Sequence, residues 1–157
     1  ENGHTMAAER FRGLQADGAN PDFQALCRSL IDDICDAFTS ELVHIGGDET
    51  AQLGVGPYSS RRLQEIQTAS PAADAKAQLY AEHFAPLSDY LVSKGRTPGV
   101  WGDMFFEHPA ALNAFPKETV IFDWQYFKSS EYTAKPFLDA GYRTVFCPAI
   151  HTYNAIW

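Results

Sequence analysis

Two adjacent acids, Asp48 and Glu49, close the run Val43-His44-Ile45-Gly46-Gly47-Asp48-Glu49-Thr50. Paired carboxyls suit acid–base work. A carboxylic acid that donates a proton near neutrality needs a raised pKa, and burial or a neighbouring anion supplies it. In extended backbone, adjacent side chains point to opposite sides, so such a pair would not share a target. The glycines before it permit an irregular turn that aims both acids inward. The competing explanation is a helix N-cap Asp followed by a first-turn Glu, with no chemistry attached.

Aromatic residues favour the chemical explanation. Trp101 and Trp124 each close a short apolar run, and Tyr126 follows Trp124 by two positions. Indole faces stack on the C–H faces of sugars, a small aromatic box holds a methyl group, and the polar tips find partners at the wet end of a pocket. Acids beside aromatic walls point to carbohydrate rather than to phosphate or hydride chemistry. His44, inside the apolar run, reads as a satisfied core histidine. His4, in a polar loop, is placed to hydrogen-bond one of the acids. A metal set of His4, His44, Asp48, Glu49 and His151 competes, but the helical His-x-x-x-His and paired-Cys spacings are missing. Gly54-Val55-Gly56 lacks the third glycine of a dinucleotide fingerprint.

The elements that must position these residues alternate. Residues 6–14 form a short helix. Asn20 caps a helix that begins at Pro21 and ends near Phe38, with Phe23, Leu26, Leu30, Ile31, Ile34 and Phe38 on its apolar face. Residues 42–45 form a buried strand, and 50–60 a loop. A long helix follows Ser70-Pro71, with Leu79, Phe84, Leu87, Tyr90 and Leu91 on one face, and stops at Lys94-Gly95. Residues 98–101, 119–124 and 142–147 are further strands, separated by helices over 109–114 and 131–140. Strands alternating with helices predict a parallel α/β sheet. The acids, both tryptophans, Asp103, Tyr126, His151 and Tyr153 then fall at or just beyond strand carboxyl ends, the edge where such folds bind ligands. Four strands alone leave an open sheet and a closed barrel both possible.

The bulk properties narrow the function class. The chain has 157 residues, the length of one domain, and its 45% hydrophobic fraction opposes disorder. A net charge of −8 argues against a nucleic-acid partner, which needs clustered Lys and Arg. No run is long and apolar enough to span a membrane. The three cysteines, Cys27, Cys35 and Cys147, suggest no disulfide framework, and the first two read as small core residues. The chain begins at Glu1 rather than Met and is expected to be part of something longer.

The run His44-Ile45-Gly46-Gly47-Asp48-Glu49 resembles the His-x-Gly-Gly-Asp-Glu signature of family 20 glycoside hydrolases, the β-N-acetylhexosaminidases. Asn2-Gly3-His4 resembles the Gly-His after that family's third barrel strand. Val100-Trp101-Gly102-Asp103 and Asp123-Trp124 resemble its fifth- and sixth-strand tryptophans, and Cys147-Pro148 through Tyr153 its seventh-strand tyrosine. The extension from Glu49 to Gly56 is similar to a smaller bacterial branch acting on terminal N-acetylglucosamine or glucosamine. The resemblance implies a partial (β/α)8 TIM barrel, about strands three to seven, with residues 1–157 forming part of one catalytic domain and the rest of the barrel as its partner. The first-strand arginine and eighth-strand tryptophan of the family would lie elsewhere.

The implied activity is retaining hydrolysis of a terminal β-linked N-acetylglucosamine or N-acetylgalactosamine from an amino-sugar glycan or glycoside. The substrate's own acetamido oxygen is the nucleophile, an exception to the two-carboxylate rule of glycosidases. Glu49 is implied as general acid and then base, and Asp48 as acceptor of the acetamido N–H. Tyr153 is implied as donor to the acetamido carbonyl, Trp101 and Trp124 as pocket walls, and His4 as a partner of the acid. No cofactor or metal is implied. Asn154-Ala155 stand where the family follows its tyrosine with Leu-Asp, which puts recognition of the outer hydroxyls in question and makes Tyr126 a substitute contact. The lack of a disulfide pattern favours a bacterial cytoplasm. The competing functions are a carbohydrate-binding or inactive barrel remnant and a metal-dependent hydrolase. The isolated segment is expected to be neither stable nor active, since a partial barrel leaves open sheet edges.

Overall fold

A computed structural model describes residues 15–126 and 129–148. The helix expected over 6–14 lies outside these residues. Asn20 accepts from the Asp22 N–H at 3.0 Å and Pro21 opens the first turn, so α1 (Pro21–Ala37) starts where local cap chemistry puts it. Strand β1 (Leu42–His44) follows, then α2 (Pro57–Ala69), α3 (Ala75–Ser93) and β2 (Thr97–Trp101). A short α4 (Asp103–Glu107) and a 3-10 helix (Pro109–Ala114) lead to β3 (Val120–Asp123). Two short helices, α5 (Ser130–Thr133) and α6 (Lys135–Asp139), lead to β4 (Arg143–Phe146).

The strands form one four-stranded parallel sheet in the order β1-β2-β3-β4. Doubly wound sheets reverse their strand order at a switch point. Here each strand simply adds beside the last, as in a barrel wall. Alternation along the strands separates two faces. Val43, Val100 and Ile121 pack against the helices, with Leu87 and Leu91 of α3 on Val43 and Phe105, Phe115 and Phe137 around Val100 and Ile121. The opposite face carries His44, Trp101 and Phe122, whose ring centroids lie 4.5 Å (His44–Trp101), 4.7 Å (His44–Phe122) and 5.9 Å (Trp101–Phe122) apart. Gly99 makes this cluster possible, because a Cβ there would stand 2.9 Å from the Phe122 ring and 3.1 Å from the His44 ring.

Three expectations are corrected. Residues 57–69 are helical rather than loop up to Ser60. The cap of α2 is non-local: Asp17 accepts from the Tyr58 N–H at 2.8 Å, the Ser59 N–H at 3.0 Å and the Ser59 hydroxyl. The single helix expected over 131–140 is two, because Pro136, near the start of α6, has no N–H to continue the ladder. Most of the apolar face predicted for α1 is open: Leu26, Leu30, Ile34 and Phe38 are 52%, 50%, 40% and 64% exposed. Only Ile31 is buried there, with Cys27 and Cys35 partly buried beside it. The apolar arc of α1 is wider than the surface that β1 and α3 offer, and β1 is the edge of the described sheet. At the other edge, Leu138 and Val145 are likewise exposed. Among the described residues no helix is long and apolar enough to cross a membrane.

Arg96 ties the end of α1 to the start of β2. Its guanidinium donates to the carbonyls of Cys35 (2.9 Å) and Phe38 (3.1 Å), at a helix end that leaves such groups without partners, and to that of Ser40 (2.6 Å) in the loop beyond. Arg96→Ala is expected to lower stability by about 2 kcal/mol, the scale of hydrogen bonds to a charged group. A urea-denaturation midpoint unchanged by the substitution would contradict this.

Candidate active site

The chain leaves β1 through Ile45, whose N–H donates to Gly99 O at 2.8 Å, and turns on Gly46 (φ 77°) and Gly47 (φ 96°). Three contacts fix the turn. Trp101 N–H donates to Gly46 O at 3.0 Å. Gly46 N–H donates to His44 Nδ1 at 3.0 Å. The Tyr80 hydroxyl reaches from α3 to donate to Gly47 O at 2.9 Å. A Cβ on Gly47 would stand 2.6 Å from that hydroxyl. Gly47→Ala is therefore expected to displace Tyr80 and lower activity and melting temperature together. Tyr80→Phe, which removes the obstructing oxygen, should recover part of that loss. No recovery in the double variant would contradict the packing argument.

Glu49 follows with φ 47°, the single non-glycine residue with positive φ among those described. Such a conformation costs on the order of 1–3 kcal/mol and persists only where surrounding contacts over-determine it. Here the Glu49 N–H donates to Asp103 Oδ2 at 2.8 Å. The other oxygen, Asp103 Oδ1, accepts from Trp124 Nε1–H at 3.1 Å. Burial pushes the Asp103 carboxyl above its ordinary range and the Asp48 charge adds to that, while the hydrogen bonds from Glu49 and Trp124 oppose it. Asp48-Glu49 is not a helix cap, since a turn follows and the next helix begins at Pro57 under Gly56.

Both acids are exposed. Glu49 borders a cavity of about 400 Å³ with Asp103, Phe106, Glu107 and Trp124. Asp48 borders a different one, of about 200 Å³, with Asp17, Tyr80, His83 and Phe84. Tyr126 packs on Trp124 with ring centroids 5.3 Å apart. The described structure thus gathers Glu49, Asp103, Trp124 and Tyr126, with Asp48 adjoining and Trp101 one strand away on His44. His44 is satisfied on one nitrogen only. Because Nδ1 accepts, the neutral ring carries its proton on Nε2, which is buried without a hydrogen-bond partner among the described residues. Burial lowers its pKa, partly offset by the Asp48 charge. His4, His151 and Tyr153 lie outside the described residues, and among those described no cluster of His, Cys, Asp and Glu is arranged to hold a metal.

Sequence reasoning placed Asp103 at the strand end but gave it no role, and passed over Tyr80. The signal for Asp103 was its position two residues beyond Trp101 at the same rim. Tyr80 had none, since its job depends on a carbonyl brought near by the fold.

A family model described as "Glycosyl hydrolase family 20, catalytic domain" matches residues 4–155. Among solved structures, the chain is similar to a β-N-acetylhexosaminidase from Bacteroides fragilis NCTC 9343 (21% identity, TM-score 0.69), over 90% of this chain and 27% of that one. It is also similar to an exo β-N-acetylglucosaminidase from Vibrio harveyi, solved with N-acetylglucosamine (24% identity, TM-score 0.62), over 84% of this chain and 19% of that one. The chain therefore spans about a quarter or less of the length of these structures. No curated protein matches it.

Proposed function

This chain belongs to glycosyl hydrolase family 20, a TIM-barrel glycosidase family, and from that premise we propose that its 157 residues are part of one catalytic domain of a β-N-acetylhexosaminidase. The observation that carries the reading is the rim at the carboxyl ends of β1, β2 and β3. There the restrained turn presents Asp48 and Glu49 on two cavities rather than the one expected, and Glu49 shares its own with the indole of Trp124.

The reaction divides between the acids. Glu49 protonates the leaving glycosidic oxygen as that C–O bond breaks. The acetamido oxygen of the same sugar supplies the electron pair for the new bond to the anomeric carbon. Asp48 accepts from the acetamido N–H and stabilises the cationic cyclic intermediate. Glu49, now a carboxylate, takes a proton from the water that opens the intermediate, and configuration is retained. Trp101 and Trp124 wall the acetamido pocket, with Tyr126 beside Trp124 as a further sugar contact. His4 and Tyr153 complete the site as a partner of the acid and a donor to the acetamido carbonyl. The substrate is a terminal β-linked N-acetylglucosamine or N-acetylgalactosamine.

No step requires a metal. The complete protein carrying this chain is expected to hydrolyse an aryl β-N-acetylglucosaminide at the same rate before and after treatment with a chelator. Loss of turnover that zinc restores would favour the metal set instead. The isolated chain is expected to be inactive, because β1 and β4 are the edges of the described sheet and apolar side chains beside them are exposed.

A further inference from the structure

We propose that Asp103 is a positioning residue that locks the acid and the pocket wall to one another, one carboxylate oxygen on each; this rests on Glu49 being the general acid. Asp103 Oδ2 holds the backbone N–H of Glu49 at 2.8 Å, and Oδ1 holds the indole N–H of Trp124 at 3.1 Å. The two donors come from the loops after β1 and β3, and Asp103 opens α4 after β2, so one side chain ties three consecutive strand ends together. Both bonds are of the charge-assisted kind and both require Asp103 to accept.

The need for such a lock is local. Glu49 is a non-glycine residue in left-handed backbone, and a residue there is held by its neighbours or not at all. The acid's backbone and the indole that faces the same cavity answer to the same group, so a shift of one oxygen moves both. Small displacements of a reacting group are expensive in rate.

Asparagine distinguishes a lock from a filler. It is nearly isosteric, but only one of its two terminal atoms accepts, so its NH2 must face either the Glu49 N–H or the indole N–H. In the complete protein, Asp103→Asn is expected to lower kcat on an aryl β-N-acetylglucosaminide about 10- to 100-fold, the scale of one lost charge-assisted bond, with KM little changed. Trp124→Phe removes the indole donor. In that background the amide can turn its oxygen to Glu49, and Asp103→Asn is expected to cost less than about 3-fold. Asp103→Ala, which has no acceptor for Glu49, should stay costly in both backgrounds.

Equal costs of Asp103→Asn in the two backgrounds, or no cost in either, would overturn the proposal. If Asp103→Asn alone fails to fold while the double variant folds and turns over, the lock is supported. If both fail to fold, Asp103 is a structural residue and the proposal is wrong. Wild-type turnover in Glu49→Gln would instead remove the functional reading beneath it, so the two failures are distinct.

Discussion

In Glu49→Gln, kcat on an alkyl or glycan β-N-acetylglucosaminide is expected to fall about 10²- to 10⁴-fold, the range of a positioned general acid. The amide has the shape of the acid but no proton to give the leaving oxygen and no carboxylate to activate water afterwards. The loss should depend on the leaving group. A nitrophenolate leaves without assistance, so bond cleavage on the aryl substrate should suffer less than on the alkyl one. Hydrolysis of the intermediate should then limit the rate. Equal loss on all leaving groups would assign Glu49 to binding rather than to proton transfer. Gln keeps the backbone N–H of residue 49 that donates to Asp103, so that bond is expected to persist in the variant.

Asp48→Asn is expected to cost about 10²- to 10³-fold in kcat, comparable with losing one preorganised electrostatic contact at a developing charge. Its carboxylate would orient the acetamido group and offset the positive charge of the cyclic intermediate, and the amide does neither well. The substitution has a second signature. Asp48 lies close enough to Asp103 to help raise its pKa and close enough to His44 to oppose the lowering caused by burial. Removing that charge should therefore lower both pKa values, and His44 should then stay neutral to more acidic pH. A carbon-13 or proton NMR titration of His44 that moves upward in Asp48→Asn would contradict the placement of the charge.

How far the chain can be read without coordinates follows from the range of each interaction. The turn at Gly46-Gly47-Asp48-Glu49 was legible because its glycines, acids and apolar run are contiguous. The start of α1 was legible because Asn20 and Pro21 act within one turn. The parallel sheet was legible from alternating periods. The helix at 57–69 was not, because Asp17, its cap, comes from a distant loop. Nor was the exposure of Leu26, Leu30, Ile34 and Phe38, since a helical period reports an apolar face and not whether a neighbour covers it. In the candidate site, residue types alone singled out Asp48, Glu49, Trp101 and Trp124. The links among them, Tyr80 on Gly47 and Asp103 on Glu49 and Trp124, belong to pairs more than twenty positions apart or brought together across strands. The separation of Asp48 and Glu49 onto two cavities was equally invisible, because the walls of each come from loops and helices distant in sequence.

We propose that the substrate's own acetamido group does the nucleophilic work beside Asp48 and Glu49. The most direct test compares an aryl β-N-acetylglucosaminide with the matching aryl β-glucoside in the complete protein, with the first-formed anomer read by proton NMR. Turnover of the N-acetyl sugar alone is expected, with the β anomer appearing first. Comparable turnover of the glucoside, or an α anomer released first, would contradict it.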